Sequence, residues 1–251
     1  MTNSVKNNII AIASGKGGVG KTWLAITLTH LLARSGRRVL LFDGDIGLAN
    51  VDVQLGLTPK LDLSNVISGR NTLSEVITPY PEGGFDIIAG RSGSATLANV
   101  PAEKLTAVTE ELLSLQQQYD FVIIDLGAGI EHYVQHLAAI AGRCIVVITD
   151  EPTSLTDAYA FIKLLLASKP NTEINIVVNQ AATQKEGDAT YHAINKACMN
   201  FLSHSPALLG IIRKDNKVKD TIRNQSSLIT RSPHSTAATD AALLSIKLLQ
   251  K

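Results

Sequence analysis

Between residues 15 and 22 the chain reads GKGGVGKT, four glycines and two lysines closed by a threonine. The string satisfies GxxxxGK[ST], a pattern in which the N–H groups of a glycine-rich turn converge on phosphate oxygens. Gly15, Gly17, Gly18 and Gly20, with Val19 between them, would form the cradle. Lys21 would reach the terminal phosphates and Thr22 would ligate Mg²⁺. An apolar run precedes the loop and an amphipathic one follows it, so the loop joins a strand to a helix whose start adds favourable partial charge. Lys16 is not required by the pattern. It is either a solvated loop charge or a second cation for the charge that develops in phosphoryl transfer, and the spacing leaves open which subunit it would serve.

Carboxylates occur where such a loop would need them. Asp43 and Asp45, in FDGDIGLANVDVQLG, follow an apolar run at a spacing that brings both near a phosphate loop on an adjacent strand. One could orient an attacking water while the other, Asp43, arranges the metal shell; the competing reading for these two and for Asp52 is helix capping. Asp125 closes the run in DFVIIDLGAGI, where an acid can hold Mg²⁺ through water. Gly127 and Gly129 then permit a turn that senses a γ-phosphate. Asn179 could read a base edge or be a strand-end turn residue. His132 and His136 stand four apart on an expected helix without an evident third ligand, which favours a solvated face over a metal pair.

These residues need a scaffold that gathers strand ends. Apolar runs at 8–14, 38–44, 85–90, 120–126, 143–149, 174–179 and 208–213 predict strands buried on both faces, alternating with amphipathic segments such as 23–36 and 154–169. Gly36 is the expected C-cap of the first segment and Ser154 the expected N-cap of the second. The rhythm predicts a single α/β domain over residues 1–251, a doubly wound and mostly parallel sheet with helices on both faces and its ligand at the carboxyl ends of the strands. The chain has 23 basic and 22 acidic residues, so bulk charge gives no reason for a nucleic-acid partner. Cys144 and Cys198 form no CxxC pair, which argues against a metal cluster or an iron–sulfur centre and fits a reducing compartment. No apolar run is long enough for a signal peptide or a membrane span.

The combination of KGGVGKT, DGDIGLANVDVQLGL and DLGAGI resembles the deviant Walker A ATPases of the MinD/ParA class over nearly the whole chain. TDEPTSLTDAYAFIKLL, VVNQAATQKEG and VKDTIRNQSSLITRSPHSTAA most resemble the FleN/FlhG family of flagellar number regulators within it. The resemblance implies a P-loop NTPase that binds ATP/ADP and Mg²⁺ and hydrolyses ATP slowly. In such proteins the additional lysine, here Lys16, crosses a nucleotide-sandwich homodimer to the partner's phosphates. Lys21, Asp45 and Asp125 would complete the catalytic set, Thr22 and Asp125 (through water) the metal set, and Asn179 would contact adenine. Implied partners are an FlhF-type GTPase, an enhancer-binding activator of flagellar genes and basal-body proteins. A cytoplasmic location is implied, with peripheral association at the inner face of the membrane left open.

Three features depart from the family pattern. Trp23 stands in the nucleotide loop's following position, where relatives carry a small or polar residue, so it either packs on a neighbouring helix or crowds the phosphates. Arg213 replaces the usual proline in IIRKDNKV near the expected base. The terminal TDAALLSIKLLQK has few flanking cations, so a core helix is expected at least as much as a membrane anchor, and no DQA-like segment precedes Ser14. The expected function is an ATP-dependent dimerising switch in control of flagellar number or placement. Its rivals are a MinD- or ParA-type positioning ATPase and a non-hydrolysing nucleotide-binding adaptor; direct DNA binding is not expected.

Overall fold

An uninterrupted apolar run must be covered on both faces, and the central strand meets that demand. In the computed structural model, which describes residues 7–90 and 100–250, strand β1 (Ile9–Ser14) is buried along its whole length. Ile9, Ala11 and Ala13 enter the apolar layer on one face of the sheet, Ile10 and Ile12 the layer on the other. Beside β1 lie β2 (Val39–Gly44), β3 (Ile77–Tyr80), β4 (Phe85–Ile88), β5 (Phe121–Ala128), β6 (Arg143–Ile148), β7 (Glu173–Ala181) and β8 (Ala207–Arg213), in the order β3-β4-β2-β5-β1-β6-β7-β8. All pairings are parallel except β3 with β4.

Seven of these strands coincide with the expected runs; β3 does not. Its sequence, ITPY, is short and carries Pro79, which cannot donate to a ladder and so reads as loop. It is tolerated because β3 is an edge strand with one neighbour.

Helices α1 (Lys21–Arg34), α2 (Val51–Leu55), α8 (Asn216–Arg223), α9 (Leu228–Arg231) and α10 (Thr236–Leu249) contribute to one layer. The other receives α3 (Leu63–Ile67), α4 (Ala102–Leu115), α5 (His132–Ile140), α6 (Pro152–Ser168) and α7 (Gln184–Leu202). Helix α1 ends one residue before the expected cap: Ser35 is the C-cap, and Gly36, at φ +82°, follows it. The start of α6 corrects the expectation for Ser154. Glu151 is the N-cap residue and Pro152 opens the helix. Buried Ser154 instead accepts a hydrogen bond from the Thr149 N–H at 3.0 Å, tying α6 to the end of β6. Helix α10 packs one face onto the core. Ala237, Ala241, Leu244 and Leu248 face the core, while Leu243 and Ile246 face outward. Among the described residues no helix is long and apolar enough to cross a membrane.

A titratable group sits in the α1 layer. His30 is buried, its Nδ1 is 2.7 Å from Ser227 Oγ, and burial with the nearby Arg34 lowers its pKa to about 4. The folded chain therefore resists protonation that the unfolded chain accepts near pH 6.5. Stability from this group is complete above pH 6.5 and is lost as pH falls towards 4. After allowance for partial solvent screening, the loss is about 2 kcal/mol. Chemical denaturation of wild type and His30→Asn at pH 7 and 4.5 should show a smaller acid loss in the variant; equal losses would contradict this.

Candidate functional site

The carboxyl ends of β1, β2 and β5 bring three motifs together. The loop from Gly15 to Gly20 leaves β1 and enters α1, and Gly20 takes φ +93° just before the helix begins. A side chain there would be strained, and its Cβ would also strike the Asn179 carboxamide. Lys21 and Thr22 occupy the first turn of α1, so the phosphate loop and the helix start face the same space.

Asp43 and Asp125 are register partners on β2 and β5, and both are buried. Their functions diverge. The Asp43 carboxylate accepts from the N–H groups of Asp45 (3.2 Å), Asn50 (3.0 Å) and Val51 (3.0 Å). Its oxygens thereby cap α2 and fix the loop that carries Asp45. The capping alternative read for Asp43 is therefore present, and through it the residue positions Asp45. Asp125 receives a hydrogen bond from Thr22, and its Oδ1 is buried without a partner. Burial pushes its pKa up to about 7, against the Thr22 hydrogen bond and the nearby Lys21 charge. Burial also lowers the pKa of Lys21, although Asp125 and Asp45 oppose it. Asp45 is raised, first by burial, with Lys21 opposing and Glu131 reinforcing.

An unpaired carboxylate oxygen beside the Thr22 hydroxyl fits the inner or water-mediated shell of Mg²⁺, a hard cation held by oxygen ligands. Thr22 and Asp125 would hold it, with Lys21 and the loop N–H groups on the phosphates. The space available is a cavity of about 830 Å³ whose walls include Gly18, Lys21, Thr22, Asp45, Glu131 and Tyr133. Triphosphate binding and phosphoryl transfer to water are what this donor set can do.

Other expected site residues are placed differently. Lys16 is not in the cavity wall; its ammonium pairs with Glu151 and donates to Thr153 Oγ1 at 2.9 Å, at the start of α6. Asn179 is 5% exposed and donates to the Val19 carbonyl at 2.7 Å. As placed, one N–H of its carboxamide braces the phosphate loop from behind. The Arg213 side chain is engaged elsewhere in the chain: Nε and Nη2 bond both oxygens of buried Asp240 at 3.0 and 2.7 Å, tying β8 to α10. Arg213→Ala should therefore lower the unfolding midpoint by several degrees, because it leaves Asp240 short of partners, while nucleotide affinity stays within twofold; a large fall in affinity would restore Arg213 to the site.

Trp23 packs rather than crowds. It is 4% exposed within the α1 layer, edges the far end of the cavity with Gln54 and Ile222, and its indole N–H has no partner. His132 and His136 stack with ring centres 6.2 Å apart, and among the described residues no group of three metal-ligating side chains occurs. Sequence reading missed Glu131, Tyr133, Glu151 and Thr153. Only spatial closure of β5–α5 and β6–α6 onto the loop singles them out.

The AAA domain family profile matches residues 7–178. Antiactivator FleN of Pseudomonas aeruginosa is 36% identical over 92% of this chain and 82% of its own length. The flagellum site-determining protein YlxH of Helicobacter pylori is 34% identical, covering 92% and 78%. The chain belongs to the FleN/FlhG family of MinD/ParA-class ATPases. Its fold is that of the class: the septum site-determining protein MinD complexed with Mg-ADP from Pyrococcus horikoshii aligns with a TM-score of 0.82 at 25% identity, over 96% of this chain and 95% of that one. As a member of the FleN/FlhG family the protein is an ATPase with nucleotide and Mg²⁺ as cofactors.

Proposed function

We propose that this ATPase is an ATP-dependent dimerising switch that regulates flagellar number or placement. The observation that carries the reading is the position of Lys16: a loop cation that lies outside its own nucleotide cavity and is held at its edge by Glu151 and Thr153. The rim offers Leu48 and Ile130, 74% and 49% exposed, to a second subunit. Mg²⁺ would neutralise charge on the phosphates. Lys21 and the loop N–H groups would bind those phosphates, Asp45 would orient water, and the partner's Lys16 would stabilise charge developing on the transferred group. Hydrolysis would then remove the contacts that favour the dimer, which makes the switch timed.

The flagellar role rests on the relatives named antiactivator FleN and flagellum site-determining YlxH. By the same route we propose an FlhF-type GTPase, an enhancer-binding transcriptional activator and basal-body proteins as partners. Light scattering and ATP turnover over a range of protein concentrations test the switch. Turnover per chain should rise with the dimer fraction; a constant value across monomer and dimer would overturn it. Sedimentation with liposomes and DNA in ATP tests the alternatives, since ATP-dependent binding to either would favour a membrane- or DNA-based positioning ATPase.

A further inference from the structure

Tyr133, in the first turn of α5, belongs to no motif, yet its hydroxyl lies on the same side of Gly127 as the Asp45 carboxylate, at the nucleotide cavity. A Cβ built on Gly127 would fall 2.5 Å from Tyr133 Oη and 3.1 Å from Asp45 Oδ1, so both oxygens lie over one patch of bare backbone at the end of β5. Any larger residue at 127 would push them away. Among the described residues the hydroxyl makes no hydrogen bond, although it stands in the wall with Lys21, Asp45 and Glu131.

Charge defines what the hydroxyl can do. Burial, followed by the negative charges of Asp45 and Glu131, pushes the Tyr133 pKa up to about 12. It therefore remains a neutral O–H, able to donate to a carboxylate oxygen. Lys21, whose charge also acts on Asp45, would be engaged by the phosphates of a bound nucleotide.

We propose that Tyr133 is a positioning residue for hydrolysis, its O–H donating to the Asp45 carboxylate so that α5 sets the direction in which Asp45 holds water. The proposal rests on the water-orienting role given to Asp45. A carboxylate with a free rotor would spend little time aligned, and a fixed donor removes that freedom.

Tyr133→Phe deletes only the hydroxyl. Single-turnover hydrolysis should slow about tenfold, the worth of one charge-assisted hydrogen bond. Affinity for a non-hydrolysable ATP analogue and ATP-dependent dimerisation should be unchanged. Gly127→Ala, which displaces the hydroxyl without removing it, should give a similar loss. Combining Tyr133→Phe with Asp45→Ala should add nothing to the loss from Asp45→Ala alone. Wild-type rates in Tyr133→Phe, with Asp45→Ala impaired, overturn the positioning role while the Asp45 role stands. A parallel fall in analogue affinity overturns it as well, by showing a structural function. Full turnover in Asp45→Ala overturns both.

Discussion

Asp45→Ala is expected to bind ATP and dimerise as wild type does, yet hydrolyse ATP at least about a hundredfold more slowly, the usual cost of losing a positioned general base or water-orienting group. The separation follows from what holds each part of the site. Phosphate affinity resides in the loop N–H groups, Lys21 and Thr22, none of which depends on the Asp45 carboxylate. The loop around residue 45 is fixed by Asp43, whose oxygens accept from backbone N–H groups and would be untouched. Removal of a half-buried carboxylate beside Glu131 should also relieve repulsion, because partial burial and Glu131 both raise the Asp45 pKa. The variant should thus accumulate as an ATP-loaded dimer. Mass measurement in ATP and Mg²⁺, followed by quantification of ADP over hours, checks both halves; a monomer in ATP would defeat the assignment. The same trapped form is the bait with which to capture the proposed flagellar partners.

The phosphate loop was legible because its chemistry is local: GKGGVGKT needs nothing from elsewhere in the chain to form its cradle. The parallel sheet was legible for a similar reason, since strands buried on both faces write themselves as continuous apolar runs. What escaped was the use to which tertiary contacts put a side chain. Asp43 and Asp45 look alike in FDGDIG, but one meets three backbone donors and the other opens into the cavity. Asn179 and Arg213 carry base-reading chemistry, yet the fold also engages them with Val19 and Asp240. No spacing rule reports such partners, 160 and 27 residues away along the chain. Tyr133 was invisible for the converse reason: a tyrosine opening a helix is unremarkable until β5 places Gly127 beneath its hydroxyl.

Lys16→Ala should produce the opposite separation from Asp45→Ala. As a monomer it should fold with nearly unchanged stability, because the Lys16–Glu151 pair is solvent-exposed and such pairs contribute little. Monomer affinity for ATP should also hold, since Lys16 does not line its own cavity. Dimerisation in ATP should nevertheless be lost at concentrations where wild type associates, because a cation placed against a partner's phosphates is worth far more there than at a wet loop edge. Turnover should fall by about 10³-fold, the scale set by other charge-stabilising residues supplied across an interface. Lys21→Ala supplies the contrast: it should weaken ATP binding in the monomer itself, since Lys21 is buried in the cavity wall. Calorimetric ATP affinity, measured on both variants at concentrations where neither dimerises, separates the two lysines. If Lys16→Ala loses ATP affinity as a monomer to the same degree as Lys21→Ala, the second lysine serves its own subunit and the shared site fails. If it retains affinity but no longer assembles, the wild-type lysine must let go of Glu151 to reach its partner, and Glu151→Gln should then lower the protein concentration needed for assembly.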